Sequence, residues 1–337
     1  MAEIVLGMAT SHGPMLSTPS HEWYRRIEFD RKLSELFYRG QTYSFDELVA
    51  LRANENLEQQ ILPAVMEARS QACKQSISKL ADRFATSKVD VAVIIGNDQM
   101  EIFTEENLPA LFVYWGAKID NIPFSEEQKL RLGPGIALAE HGHHADHHEV
   151  YPGAPELGQH VIAHLMEKKF DVCSSNSLPD VPTSRSSGIP HAFGFVYRQL
   201  FRGAPISNLP VFINTFYHPS RPTLERCIEL GSALSDAIRA WDRKVRVAVI
   251  ASGGLSHFVI DEELDKRMLG YLREGDVQGM RTIPESYFRS GTSELKSWAV
   301  AATIMAGHRL KMTDCDYITC YRSLAGTGNA MAFAAWQ

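Results

Sequence analysis

The sequence predicts an α/β fold: a single three-layer domain in which a mostly central β-sheet is flanked by helices. Three observations predict it. Short runs rich in β-branched residues recur along the chain, among them EIVLGM at 3–8, VDVAVIIG at 89–96, LPVFINT at 209–215 and VRVAVIAS at 245–252. Such runs are too short for independent helices and read as buried strands. Segments with helical periodicity separate them, and alternating strands and helices build a layered sheet. No linker rich in Gly, Pro or Ser divides the 337 residues, so 1–337 reads as one domain.

Residues 3–8 form the first strand, which runs into Ala9-Thr10-Ser11-His12-Gly13-Pro14. Gly-Pro forces a turn, so a Ser-His pair stands at a strand end. Residues 20–60 are irregular and aromatic-rich, with Trp23, Tyr24, Phe29, Phe37, Tyr38 and Tyr43. The region about 15–60 is expected to be a lid or dimer-contact insertion, with an amphipathic helical pair packed on the core as the alternative. A long helix follows at about 56–84 despite Pro63. The strand 89–96 then delivers Asn97-Asp98-Gln99-Met100-Glu101. Asp98, Gln99 and Glu101 can bind a metal or a polar ligand, and loop Asp and Asn residues also cap turns.

Residues 109–119 (PALFVYWGAKI) predict another strand. HGHHADHHEV follows, with His141, His143, His144, His147 and His148. It invites a metal reading, such as a secondary zinc or nickel site. The run is polar, contains glycine and is delivered by no apolar strand, so it reads as a solvated loop. A helix is expected at 155–168 and a short strand at 170–175. The loop 176–190 ends at Pro190-His191-Ala192-Phe193-Gly194, where His191 is either a core-edge residue or a functional one.

After the strand 209–215 and a helix at 223–241, the stretch VRVAVIASGGLSHF opens as a buried strand and breaks at Gly253-Gly254. Open α/β sheets bind ligands just past the carboxyl ends of their strands. Two glycines let the backbone turn sharply or approach a ligand closely. His257 therefore puts a side chain that titrates near neutral pH where such sheets place their chemistry. A helix at 261–273 opens on Asp261-Glu262-Glu263, as the helix dipole favours. The helix at 290–307 offers Gly291, Thr292 and Ser293 as caps and Glu294 in its first turn, a common capping position for carboxylates. The tail TCYRSLAGTGNAMAFAAWQ predicts an edge strand or arm, and its GTG is too short for a phosphate loop.

Bulk properties exclude some partners. With 45% hydrophobic and 22% charged residues the chain has ordinary globular composition, and a net charge of -6 argues against a nucleic-acid binder. The N-terminal MAEIVLGMATSHG lacks the basic region and apolar core of a secretion signal, and no apolar run is long enough to span a membrane. Cys73, Cys173, Cys227, Cys315 and Cys320 are scattered, which predicts reduced thiols in a cytoplasm rather than a structural zinc site.

His12, Gln99, His191 and His257 thus collect at strand ends, with Glu294 at a helix start. A face of two histidines and one carboxylate is the signature of non-haem Fe(II) sites that leave positions open for substrate and oxygen. The order Ser11-His12-Gly13-Pro14, Asn97-Asp98-Gln99, Pro190-His191-Ala192-Phe193-Gly194, Ser252-Gly253-Gly254-Leu255-Ser256-His257 and Ser293-Glu294-Leu295-Lys296-Ser297-Trp298 resembles the type III extradiol ring-cleaving dioxygenases. These are relatives of the protocatechuate 4,5-dioxygenase β subunit, and the chain looks closest to the 3-O-methylgallate dioxygenase branch. The resemblance implies Fe(II)-dependent extradiol (meta) cleavage, with O2, of a catechol- or gallate-type acid such as 3-O-methylgallate, gallate or protocatechuate. It implies a place in the catabolism of lignin-derived aromatics and a cytoplasmic homodimer. It also implies metal ligands at His12, Gln99 and Glu294, and acid–base roles for His191 and His257 in either order.

Position 99 departs from the family pattern, where a histidine ends the Asn-Asp-His motif. An amide is a weaker, neutral ligand for Fe(II). Either Gln99 ligates, or Glu101 on the same face of an extended segment substitutes, or iron binding is weak. Pro190 and Ala192 flank His191 where the family often shows Asp and Gly. A substrate carboxylate would want a cationic partner, for which Arg185, Arg198 and Lys296 are candidates. Two other classes stay open: a catalytically silent binding or partner subunit, and a zinc-dependent hydrolase using the same cleft.

Overall fold

The alternation of side chains along the strands decides the layers. The computed structural model describes residues 1–133, 135–179 and 184–337, so 180–183 of the loop predicted at 176–190 lie outside it. Its strands are β1 (Glu3–Thr10), β2 (Leu36–Tyr38), β3 (Gln41–Tyr43), β4 (Val91–Gly96), β5 (Leu111–Tyr114), β6 (Lys118–Asn121) and β7 (Glu149–Pro152). They continue with β8 (Cys173–Ser175), β9 (Ser207–Ile213), β10 (Arg246–Ser252), β11 (His257–Val259), β12 (Met312–Tyr321) and β13 (Thr327–Trp336). Among the described residues, nine strands make one mixed sheet in the order β11-β13-β1-β10-β4-β9-β5-β8, with β12 also paired to β13. Its centre, β1, β10, β4 and β9, is parallel.

Val247, Val249 and Ala251 of β10 face one core, where they meet the helices Pro155–Glu167, Leu224–Ala240, Glu262–Glu274 and Leu295–Gly307. The intervening Ala248 and Ile250 face a second core under the helix Pro63–Thr86 and the segment 191–201. Strands buried on both faces read as unbroken apolar runs, which is why the central strands were visible in the sequence. The three-layer expectation holds.

Several boundaries differ for physical reasons. Pro63 starts its helix rather than interrupting it, because the first helical position needs no N–H. The strand expected at 109–119 divides into β5, in the main sheet, and β6, which pairs with β7 outside it. The tail is not merely an edge. β12 lies on the flank, but β13 is buried along its whole length between β12 on one side and β1 and β11, end to end, on the other. Ala330, Ala332, Ala334 and Trp336 enter one core, and Met331, Phe333 and Ala335 enter the other. An alanine-rich run has low strand propensity, and this concealed an internal strand.

The region 15–60 folds into a 3-10 turn (Ser20–Arg26), a short helix (Ile27–Lys32), the β2–β3 hairpin and a capped helix (Phe45–Leu51). Leu36, Tyr38, Phe45 and Leu48 form a small core with Val259 of β11 and Ala325. The buried guanidinium of Arg322 grips Asp30 through Nε at 2.7 Å and Nη2 at 2.8 Å. Breaking such a buried pair costs about 3–5 kcal/mol. This segment is thereby fixed beside the strand that begins at His257.

Candidate active site

The carboxyl ends of β1, β10 and β4 converge, and Glu294 meets them from the start of the helix Leu295–Gly307. The register pairs Thr10 with Ser252, so the residues just past these two strand ends are neighbours. Ser252 Oγ donates to Ala192 O at 2.5 Å. Its single proton is then engaged, so the 2.9 Å contact with His12 Nδ1 must be a donation from the imidazole. His12 is therefore the Nδ1–H tautomer, with a lone pair on Nε2. That atom lies 3.5 Å from Glu294 Oε2, with side chains only 2% and 4% exposed.

His257 repeats the arrangement. Its Nδ1 lies 2.8 Å from the carbonyl of Leu255. A carbonyl only accepts, so Nδ1 carries a proton and in the neutral ring Nε2 is the lone pair, 3.8 Å from the same Glu294 Oε2. The ring is clasped between two glycines. A Cβ on Gly254 would stand 2.7 Å from ring atoms, and one on Gly291 would stand 2.0 Å from Cδ2. The Gly-Gly break thus serves close approach. Gly254 also donates its N–H to Glu294 Oε2 at 2.5 Å. The other oxygen, Oε1, accepts from Asn97 Nδ2 at 3.0 Å and from Gln99 Nε2 at 2.9 Å.

Glu294 stands at the N-cap of its helix, but its side chain makes no capping bond and turns into the site instead. Burial alone would raise its pKa, but His12, His257 and the Gly254 N–H hold the carboxyl well below the usual range. Burial lowers the pKa of His12 despite Glu294, which favours the neutral imidazole. A neutral lone pair and a carboxylate oxygen that face each other in a dry site repel unless a cation lies between them. The His12–Glu294 gap therefore fits a metal ion. Among the described residues, no group of three His, Cys, Asp or Glu side chains has metal-holding spacing. The remaining position beside this pair belongs to an amide, Gln99.

The loop after β4 is a tight turn, not an extended segment. Gln99 and Met100 are both left-handed, with φ of 55°, which costs about 1–2 kcal/mol per residue. The Asp98 carboxylate offsets this by accepting the N–H groups of Glu101, Ile102 and Phe103 at 3.1, 3.0 and 3.1 Å. Burial and the neighbouring Glu101 push its pKa up to about 7. The turn sends Gln99 toward Glu294 and Glu101 the other way. Glu101 Oε1 bonds His191 Nδ1, and Oε2 accepts the His191 backbone N–H at 2.9 Å. Both oxygens of Glu101 are thus engaged with His191. Burial opposes a charge on His191, but Glu101 outweighs it and raises the pKa. The His191 ring meets that of His12 edge-on, centroids 4.7 Å apart.

The histidine run is not all solvated loop. His141, His147 and His148 are exposed, whereas His143 and His144 are buried beside Phe124. Asn121 Nδ2 donates to His143 O at 3.0 Å, which turns Asn121 Oδ1 toward His144 Nδ1. Burial lowers the pKa of His143 well below the ordinary value and takes His144 down to about 4. Both Nε2 atoms are buried without a partner. The His143 ring edges onto His191 at 5.9 Å, so these two imidazoles extend the site. A solvated reading missed them because a distant asparagine and phenylalanine bury them.

Lys296 is fully buried and held by Pro222 O at 2.7 Å and Glu285 Oε1 at 2.6 Å. Arg198 pairs with Glu149 at 3.0 Å. Arg185 is exposed and donates to Met100 O at 2.9 Å, close to Glu101. A shallow cleft adjoins Asn97 and Gln99, walled by Phe103, Phe212, Phe216 and Tyr217.

Gallate dioxygenase of Pseudomonas putida is 29% identical over 113 residues, which span 33% of this chain and 30% of that protein. The aligned stretch is thus less than a third of the relative's length. The family described as the catalytic LigB subunit of aromatic ring-opening dioxygenase matches residues 59–333. That match takes in most of the chain, from the helix Pro63–Thr86 through the greater part of β13, and the chain belongs to this family.

Proposed function

We propose that the protein is an Fe(II)-dependent dioxygenase that cleaves the ring of a catechol- or gallate-type aromatic acid in the extradiol mode, using O2. The observation that carries the reading is the buried His12 Nε2 lone pair aimed at Glu294 Oε2 at 3.5 Å. His12 and Glu294 would hold the metal, with the Gln99 amide beside them on Glu294 Oε1. Bound there, Fe(II) would lower the pKa of a catechol hydroxyl and bring O2 to the ring.

The chain's own groups then move protons. His257 presents its Nε2 lone pair and is the base for a phenolic proton. His191 is the acid, because Glu101 favours its protonated form. Arg185 is the partner for a substrate carboxylate: Lys296 and Arg198 are each bonded to a carboxylate already, whereas Arg185 gives its Nε to the Met100 carbonyl. Gallate, protocatechuate and 3-O-methylgallate are the substrates of choice. A cytoplasmic homodimer belongs to the same proposal, supported by the family likeness and by five free cysteines.

One observation favours a second reading, a catalytically silent partner subunit: Gln99 offers an N–H to Glu294. Oxygen consumption separates the two. Protein loaded anaerobically with Fe(II) is given protocatechuate, gallate, 3-O-methylgallate or catechol. Uptake with one of them, abolished in His257→Ala, is expected. No uptake from the native protein or from Gln99→His would overturn the dioxygenase reading for these substrates.

A further inference from the structure

We infer that Gln99 clamps Glu294 instead of binding the metal, so that the centre has two protein ligands and holds its metal tightly only together with a chelating catechol-type substrate. The inference rests on the dioxygenase reading of this site and deepens it.

The two oxygens of Glu294 are differently engaged. Oε1 accepts two amide N–H groups, from Gln99 at 2.9 Å and Asn97 at 3.0 Å. Oε2 accepts Gly254 N–H and faces His12. Turning the Gln99 amide over, to present oxygen to a cation, would set that oxygen against Oε1. Two acceptors in a buried site repel, and the charge-assisted bond from Gln99 Nε2 would be lost as well. The backbone cannot relieve this, because Asp98 holds the left-handed turn on which Gln99 sits. Asn97 offers no replacement donor, since its Nδ2 is already on Oε1.

Among the described residues, no further carboxylate or imidazole fills the vacant role. Both oxygens of Glu101 belong to His191. His257 stands 3.8 Å from Oε2, yet His12, His257 and Glu294 do not form a metal-holding group. Two donors, one imidazole nitrogen and one carboxylate oxygen, therefore remain. The adjacent oxygens of a catechol would add a chelating pair. By linkage, the metal and the catechol must then raise each other's affinity by one common factor.

The test is anaerobic equilibrium dialysis of the intact protein against Fe(II), alone, with protocatechuate, or with 4-hydroxybenzoate, which keeps ring and carboxylate but cannot chelate. Protocatechuate should tighten Fe(II) binding by about 10-fold or more, within the usual range of coupling between sites. 4-Hydroxybenzoate should not tighten it. Gln99→His should bind Fe(II) more tightly on its own and show a smaller protocatechuate effect. Glu294→Ala should retain Fe(II) in none of the mixtures, which separates protein binding from chelation in solution. Equal Fe(II) affinity with and without protocatechuate, in protein that still binds protocatechuate, would overturn the role of Gln99 alone. Failure of protocatechuate, gallate and 3-O-methylgallate to bind at all would overturn both this inference and the catechol reading.

Discussion

Two histidine–carboxylate pairs face each other across this site, and they are built for opposite purposes. In the His12–Glu294 pair, Ser252 takes the Nδ1 proton, so Nε2 meets the carboxylate as a bare lone pair. In the His191–Glu101 pair, Nδ1 bonds the carboxylate directly and the charged imidazole is favoured. One gap asks for a cation, whereas the other pair already holds a proton. The residue types are the same, and the third partner makes the difference. A serine hydroxyl whose own proton is committed elsewhere turns an imidazole into a ligand. A carboxylate on Nδ1 turns it into an acid.

Glu294→Gln should have the largest effect. It removes the charge that the first pair presents to a cation, and activity should fall by about 10³-fold or more, with loss of bound metal. Metal analysis beside circular dichroism checks this, and full metal retention would break the comparison. Glu101→Gln should lower kcat by about 10²-fold, as expected for a disturbed acid–base group, with metal content unchanged. Loss of metal in that variant would place Glu101 in the wrong pair. Ser252→Ala frees His12 to adopt the other tautomer, and Fe(II) affinity should drop by about 10-fold. An unaltered dissociation constant would show that the serine does not set the tautomer.

The smallest expected effect concerns the loop that carries His257. The buried Asp265 carboxylate accepts Ser256 N–H at 2.9 Å, Ser256 Oγ–H at 2.5 Å and Tyr317 O–H at 2.8 Å. Burial outweighs these bonds and pushes its pKa up from 3.8 to about 7. The folded protein then keeps a proton that the unfolded chain releases. This contribution to stability is full below about pH 4 and is lost as pH rises through about 7. Urea unfolding should show stability declining from pH 5 to pH 8, with Asp265 accounting for roughly 1–2 kcal/mol. Asp265→Asn should flatten that slope, and an unchanged slope would remove Asp265 as its source.

Much of this site could be read from the sequence, and the unread part has a common cause. β4 and β10 were legible because strands buried on both faces must be apolar throughout. His12, Gln99 and His257 were legible because they end or follow such strands. From local pattern Glu294 was legible only as a possible cap, since carboxylates at helix starts usually serve that purpose, and the family resemblance alone marked it as a ligand. The direction of Glu101 was not legible. It depends on two consecutive left-handed residues, neither of them glycine, and no periodicity records such a turn. His143 and His144 looked solvated because their burial depends on Asn121 and Phe124, which tertiary folding brings to them. Local pattern carries the strand ends, and long-range contact supplies each histidine's second partner.

The buried position of β13 has a consequence for how the protein is made. A chain leaves the ribosome from its N-terminal end. β1 emerges early, but its hydrogen-bonding neighbours are β10 and β13, which are translated far later. Until residues 327–336 appear, β1 has an open edge and β11, which begins at His257, has nothing to pair with. Nascent chains halted before that point would expose an apolar strand edge, the kind of surface that chaperones shield and aggregates recruit. The histidine at the head of β11, proposed above as the base, can therefore be seated only near the end of synthesis.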